Sequence, residues 1–200
     1  MKSDICILGE PVEDFFVRME EFHGYRSPGI LVGSLMLEAA LQRIGHVPYL
    51  NVVTETVVCL PDAVQLLTPC TYGNGFLQVL DWGKFALTAY DRDSLDGARA
   101  WLNHDLLTDY PLINSWFERT GYKREKPPFS ELAEEILSTG PELIRCQEVK
   151  LLHPLKNRRP MPTGRCSKCG ESYTLHHGSR CPACQGKSYY SLGANKELYA

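Results

Sequence analysis

Residues Val52 to Lys84 read VVTETVVCLPDAVQLLTPCTYGNGFLQVLDWGK, a strand–turn–helix–turn–strand unit around which the rest of the chain is arranged. Val52 to Val58 is β-branched and apolar apart from Glu55, which suits a strand with one buried face. Pro61 at the first helical position and Asp62 in the first turn mark the start of a short helix. Ala63, Val64, Leu66 and Leu67 are its apolar side, Thr68-Pro69 its end. Tyr72-Gly73-Asn74-Gly75 then turns the chain into a strand over Phe76–Asp81. Cys59 and Cys70 therefore flank one helix on loops expected to converge, with Asp62 and Gln65 on adjacent turns between them. Polar side chains held in loops on an apolar frame are the ingredients of a ligand or catalytic site.

Upstream lies a second group of reactive residues, Phe22-His23-Gly24-Tyr25-Arg26-Ser27-Pro28-Gly29. A helix over 13–22 carries Phe15, Phe16, Met19 and Phe22 on one side. Ser27 before Pro28 reads as an N-cap with proline at N1, opening a helix over 28–44 that is apolar nearly all round and stops at Gly45. Such a helix belongs in the middle of a domain. Its N-terminus would gather His23, Tyr25 and Ser27.

Downstream, strands are expected over 84–91 and 98–103, joined by an Asp-, Ser- and Gly-rich hairpin loop. A helix over 104–119 is interrupted at Pro111, and 121–128 is a polar connection. A short helix over 130–138, capped by Ser130, precedes a last strand within 142–152. Strands and helices mix without a regular alternation, so the fold class is α+β with a mixed sheet flanked by helices. The core domain spans 1–152. Residues 153–164, with three prolines and three basic residues, read as a linker, and 165–200 as a separate module.

That module contains Cys166-x-x-Cys169, eleven residues, then Cys181-x-x-Cys184. Two such pairs supply four thiolates to one tetrahedral zinc, one ion per chain, in a closed site with no position for water. A segment this small folds largely on the metal. His176 and His177 are surplus to that set, and Cys6 and Cys146 are packing residues.

At 200 residues and 44% hydrophobic composition the chain supports one ordinary core plus an appendix. A net charge of −3 argues against nucleic acid or anionic membrane as the principal partner. No stretch reads as a signal peptide or a bilayer span, and the expected location is the cytoplasm.

With these motifs assembled, the chain resembles the family of the formylmethanofuran dehydrogenase E-subunit (FmdE) over roughly Phe16 to Arg99 and again in the zinc module. The most specific portion is E-x-x-x-C-x-x-D-A-x-Q-x-L-T-x-C-T-x-G-x-G at Glu55–Gly75, followed by Gly83-Lys84. The resemblance implies a thioredoxin-like α+β core, a C-terminal treble-clef finger and a core site where metal binds. It also implies association with a molybdenum or tungsten oxidoreductase of one-carbon metabolism and methanogenesis. His23 matches the first histidine of the family's F-H-G-H-x-C-P-G motif, and Cys59, Asp62, Gln65, Cys70 and Lys84 match as well. Tyr25 and Ser27 stand where the second histidine and the cysteine would be.

His23, Cys59 and Cys70 are thus candidate ligands of a weak second metal, and with Asp62 and Gln65 candidate catalytic residues. Both departures weaken a metal site, since phenol and hydroxyl are poor substitutes for imidazole and thiolate. Other roles stay open. His23 also suits a turn, and Cys59 and Cys70 also suit a redox pair or buried thiols. The competing reading of the whole is a non-catalytic adaptor whose finger and basic linker (Lys156, Arg158, Arg159) dock a protein or RNA. A homodimer would complete so apolar a small core.

Overall fold

The structure, a computed structural model, describes residues 5–118, 127–155 and 161–191. The chain divides into two compact units, Met1–Asn157 and Arg158–Ala200.

The first unit opens with a small hairpin, β1 (Cys6–Ile7) and β2 (Glu10–Pro11), that leads into α1 (Val12–His23). Gly24, at φ 89°, ends α1 in the left-handed conformation, and α2 (Pro28–Ile44) follows. The bounds of α2 agree with those the sequence pattern predicts. It is central, as an all-round apolar helix must be: it lies on the sheet and packs against helices on other sides. Ile30, Leu31, Val32, Met36 and Leu37 are fully buried along it. Each contributes about 1.5–3 kcal/mol from burial.

The sheet is five-stranded: β3 (Leu50–Thr54), β4 (Leu77–Val79), β5 (Ala86–Asp91), β6 (Asp96–Leu102) and β7 (Ile144–Lys150), in the order β4-β3-β5-β6-β7. β3 and β4 are parallel, joined through α3 (Leu60–Leu67), and the other pairings are antiparallel. The mixed sheet inferred from the sequence is therefore present. A 3-10 turn over His104–Asp109 and α4 (Pro111–Glu118) replace a single helix, with the break at Pro111 as its ring requires. α5 (Phe129–Thr139) then leads back to β7, whose outer edge carries no strand among the described residues.

Two local expectations are corrected, and one small element lies outside them. The strand expected over 52–58 stops at Thr54, because Thr side chains take over the backbone partners beyond it: Thr54 donates to Thr56 O and Thr56 Oγ1 accepts from Val58 N. α5 begins one residue before Ser130, with Pro128 rather than Ser130 at its N-cap. The β1–β2 hairpin is too short to carry any period, so no pattern in the sequence announces it.

In the second unit, β8 (Thr163–Arg165) pairs with β9 (Ser172–Thr174), and a 3-10 turn over Ala183–Gln185 follows. The basic residues Lys156, Arg158 and Arg159, and part of the expected linker, lie outside the described residues. No helix among the described residues is long and apolar enough to cross a membrane.

Candidate functional site

The close approach of α2 and α3 builds the core site. Gly29 and Gly33, one turn apart on α2, face the start of α3. A Cβ on Gly29 would meet Cys59 Cβ and Sγ at 2.7 Å, and one on Gly33 would meet Leu60 Cδ2 at 2.8 Å. Only glycine allows this separation. The spacing of two glycines at i and i+4 is the signal that sequence reasoning missed.

Cys59 is the N-cap of α3 and has φ 57°, ψ −44°. Leu60 N donates to Val58 O at 2.6 Å across it, so Cys59 sits at the apex of a γ-turn of positive φ. That conformation is costly for a residue with a side chain and persists only where its surroundings impose it. Its Sγ lies 3.5 Å from Ser27 Oγ. Ser27 is the N-cap of α2 through its backbone, with its carbonyl accepting from Ile30 and Leu31 at 3.1 Å. Its hydroxyl makes no capping bond, contrary to the sequence reading, because it is directed at Cys59 instead.

Asp62, in the first turn of α3, reaches back to α1. Its Oδ2 lies 2.7 Å from His23 Nδ1. Tyr25 packs its ring on the imidazole, centroids 4.5 Å apart. In the neutral ring with its proton on Nδ1, the Asp62 carboxylate accepts a hydrogen bond from that nitrogen and Nε2 carries the lone pair. Nε2 is buried and has no hydrogen-bond partner. Two contacts, His23–Asp62 and Ser27–Cys59, thus join the same two segments, 23–27 and 59–62. Buried polar atoms are nearly always satisfied, so an unsatisfied nitrogen marks a place for a ligand or water.

The other candidates lie apart from this cluster. Cys70 is fully buried and its Sγ donates to Leu50 O at 3.3 Å, at the opposite end of β3 from Cys59. Burial pushes its thiol up, as expected of an inert packing cysteine. The eight residues of α3 between the two cysteines span about 12 Å. No disulfide joins the two cysteines. Gln65 Oε1 accepts from Tyr72 N at 3.3 Å and secures the turn after α3. Lys84 N and Trp82 N both donate to Glu55 O at 3.1 Å, and the Lys84 ammonium lies over the Trp82 ring. Glu55 itself is buried and takes a bidentate ion pair from Arg99, at 2.7 and 2.8 Å. That pairing raises the Arg99 guanidinium further. The motif's acid and lysine therefore hold one loop in place.

The core donor set does not fit a firmly held metal. Cys70 is turned to the far end of β3, Asp62 is engaged at His23 Nδ1, and the ring of Tyr25 and the hydroxyl of Ser27 are poor donors beside the imidazole and thiol. A separate cavity of about 560 Å³, lined by Arg43, Asp91, Asp96, Glu148 and Lys150 among others, includes none of these residues.

The finger is different. Cys166, Cys169, Cys181 and Cys184 place their sulfurs within 4.8 Å of one another, the one such group of three or more ligands among the described residues. The Cys169–Cys181 sulfur separation is 3.9 Å. A tetrahedron of zinc–sulfur bonds has edges of about 3.8 Å. Backbone N–H groups at Cys169, Cys181 and Lys168 bring the Cys166 thiol down to about 6. Burial, then the neighbouring sulfurs, push Cys184 up to about 12. Gly170, at φ 77°, closes the first knuckle with its N–H on Cys166 O at 2.9 Å. The four residues present fit one zinc ion held structurally.

Comparison with known proteins places this geometry. The family described as "FmdE, Molybdenum formylmethanofuran dehydrogenase operon" matches residues 22–153, and "FmdE treble clef zinc finger" matches 157–191. The matched clef is compact here: Gly186, at φ 94°, ends the last turn right after the final cysteine pair. A crystal structure from Syntrophus aciditrophicus, of a protein described as like the tungsten formylmethanofuran dehydrogenase E-subunit (FmdE), is 36% identical. It covers 96% of this chain and all of its own, with a TM-score of 0.82. A curated protein of Archaeoglobus fulgidus, named "Probable S-adenosyl-L-methionine-binding protein", is 30% identical over 88% of this chain. The chain spans about half (53%) of that relative's length.

Proposed function

This chain belongs to the FmdE family, and on that premise we propose that its core binds a small ligand in the service of a molybdenum or tungsten oxidoreductase of one-carbon metabolism. The ligand site is the cluster of His23, Asp62, Cys59 and Ser27, and the finger is a structural zinc module. One observation carries the reading: His23 Nε2 is buried, aligned by Asp62 at the other nitrogen, and without a partner. An acceptor in that state is completed by a ligand donor. The association with a dehydrogenase is supported by the names of the family and of the solved relative, and pairing with a second copy by the open outer edge of β7.

The test is affinity capture of the tagged, zinc-loaded full chain from a cell that makes such a dehydrogenase, followed by identification of bound proteins. Capture of the molybdenum- or tungsten-carrying polypeptide, reduced by His23→Ala with the fold intact, supports the proposal. No such polypeptide with either chain removes it. Light scattering settles the dimer.

A second reading follows from the curated relative: the ligand is S-adenosylmethionine. Calorimetric titration of the chain with that compound distinguishes it. Saturable binding lost in His23→Ala favours it, and no heat discards it.

A further inference from the structure

We propose that Cys59 is a covalent nucleophile for small activated acyl groups, esters or thioesters, with His23 as its general base and Asp62 as the residue that orients the base. This deepens the reading of the core as a ligand site and rests on it.

Four observations converge. Cys59 is held at φ 57° between β3 and α3, at a strained strand-to-helix turn, and is half-buried. Gly29 leaves its sulfur room that any larger residue would take. His23 has two features of a catalytic base, a carboxylate 2.7 Å from Nδ1 and a buried Nε2 without a hydrogen-bond partner. Ser27, in place of a metal-binding thiolate, puts a hydroxyl 3.5 Å from the sulfur, where it donates to a thiolate and has no use for a metal. The same substitution that spoils a metal site leaves a nucleophile, a base and an orienting acid on two facing segments.

The step balances without an oxidant. At rest Nε2 has no partner within hydrogen-bond reach, the Cys59 sulfur included, so the step begins as the entering ligand brings the two together: the Cys59 thiol proton passes to His23 Nε2 and Sγ attacks the acyl carbon. A carbon–sulfur bond forms, the bond to the leaving oxygen or sulfur breaks, and the leaving group takes the proton from the imidazolium. Water, activated by the same nitrogen, then cleaves the acyl-enzyme, or an acceptor amine takes the acyl group.

The experiment treats the zinc-loaded full chain with p-nitrophenyl acetate near neutral pH, following nitrophenol release and mapping acetylated peptides. A burst of about one equivalent with acetyl on Cys59 is expected, absent in Cys59→Ala. His23→Gln should slow the burst by about a hundredfold. Asp62→Asn should slow it less and move its pH profile. Above the thiol range, where no base is needed, iodoacetamide should label Cys59 equally in the native chain and in both of these variants. Cys6, exposed on the same chain, is the internal reference. Acetylation of Cys59 no faster than of Cys6, or a burst indifferent to both His23→Gln and Asp62→Asn, overturns the proposal. If His23→Gln fails to fold by circular dichroism, Asp62→Asn alone decides. Capture of the dehydrogenase by Cys59→Ala, with no acylation in the native chain, would remove the covalent step and leave the binding role standing.

Discussion

Asp62 Oδ2 stands 2.7 Å from His23 Nδ1, an α3 carboxylate on an α1 imidazole, while the other ring nitrogen is buried without a partner. The pair serves orientation more than stability, because the Asp62 side chain is 36% exposed. Asp62→Asn should therefore change urea-measured stability by less than about 1 kcal/mol. A loss several times larger would recast the pair as structural.

Glu55→Gln should behave in the opposite way. The carboxylate is buried and receives both arms of Arg99, so removing its charge leaves a guanidinium that is largely covered. A loss of about 3 kcal/mol is expected in urea unfolding. A loss below about 1 kcal/mol would show the pair to be dispensable.

Gly29→Ala and Gly33→Ala probe the helix approach that sets the position of Cys59. Each added methyl meets α3 or its cap at 2.8 Å or closer. Each should cost about 1–3 kcal/mol. Gly29→Ala should in addition change the alkylation rate of Cys59, and Gly33→Ala should change it less.

The finger should carry one zinc per chain by elemental analysis, and a strong chelator should unfold the second unit while the core keeps its melting transition. The sign with pH follows from Cys166. Its thiol is held low, at about 6, so the stabilisation is present above the unfolded thiol range and is lost as pH falls through about 6. Protons compete with zinc for the same sulfurs, so zinc affinity should fall as the pH is lowered. Cys184, held high at about 12, must lose its proton to solvent as its sulfur binds the metal, so zinc binding near neutrality should release protons.

Much of this is legible in the chain. The apolar run Ile30–Ile44 and the CxxC pairs specify a central helix and a metal knuckle through local pattern alone. The meeting of segment 23–27 with segment 59–62, through His23–Asp62 and Ser27–Cys59, agrees with the motif positions. Cys70 instead bonds to Leu50, at the end of β3 away from Cys59. Nothing local reports that placement. Propensity assigns Ser27 a side-chain cap, yet its hydroxyl turns to a sulfur from a residue 32 positions away. Tertiary contacts override the local preference there, and Thr54 and Thr56 likewise cut short a strand that β-branched composition extends.

The most direct measurement is the tautomer of His23, read from nitrogen-15 shifts and long-range proton couplings of the imidazole in the zinc-loaded chain. The expected result is a proton on Nδ1, shared with Asp62, and a bare Nε2 that responds when ligand is added. A proton on Nε2 with Nδ1 bare would contradict the account, because the site would then have neither an acceptor for a ligand nor a base for Cys59.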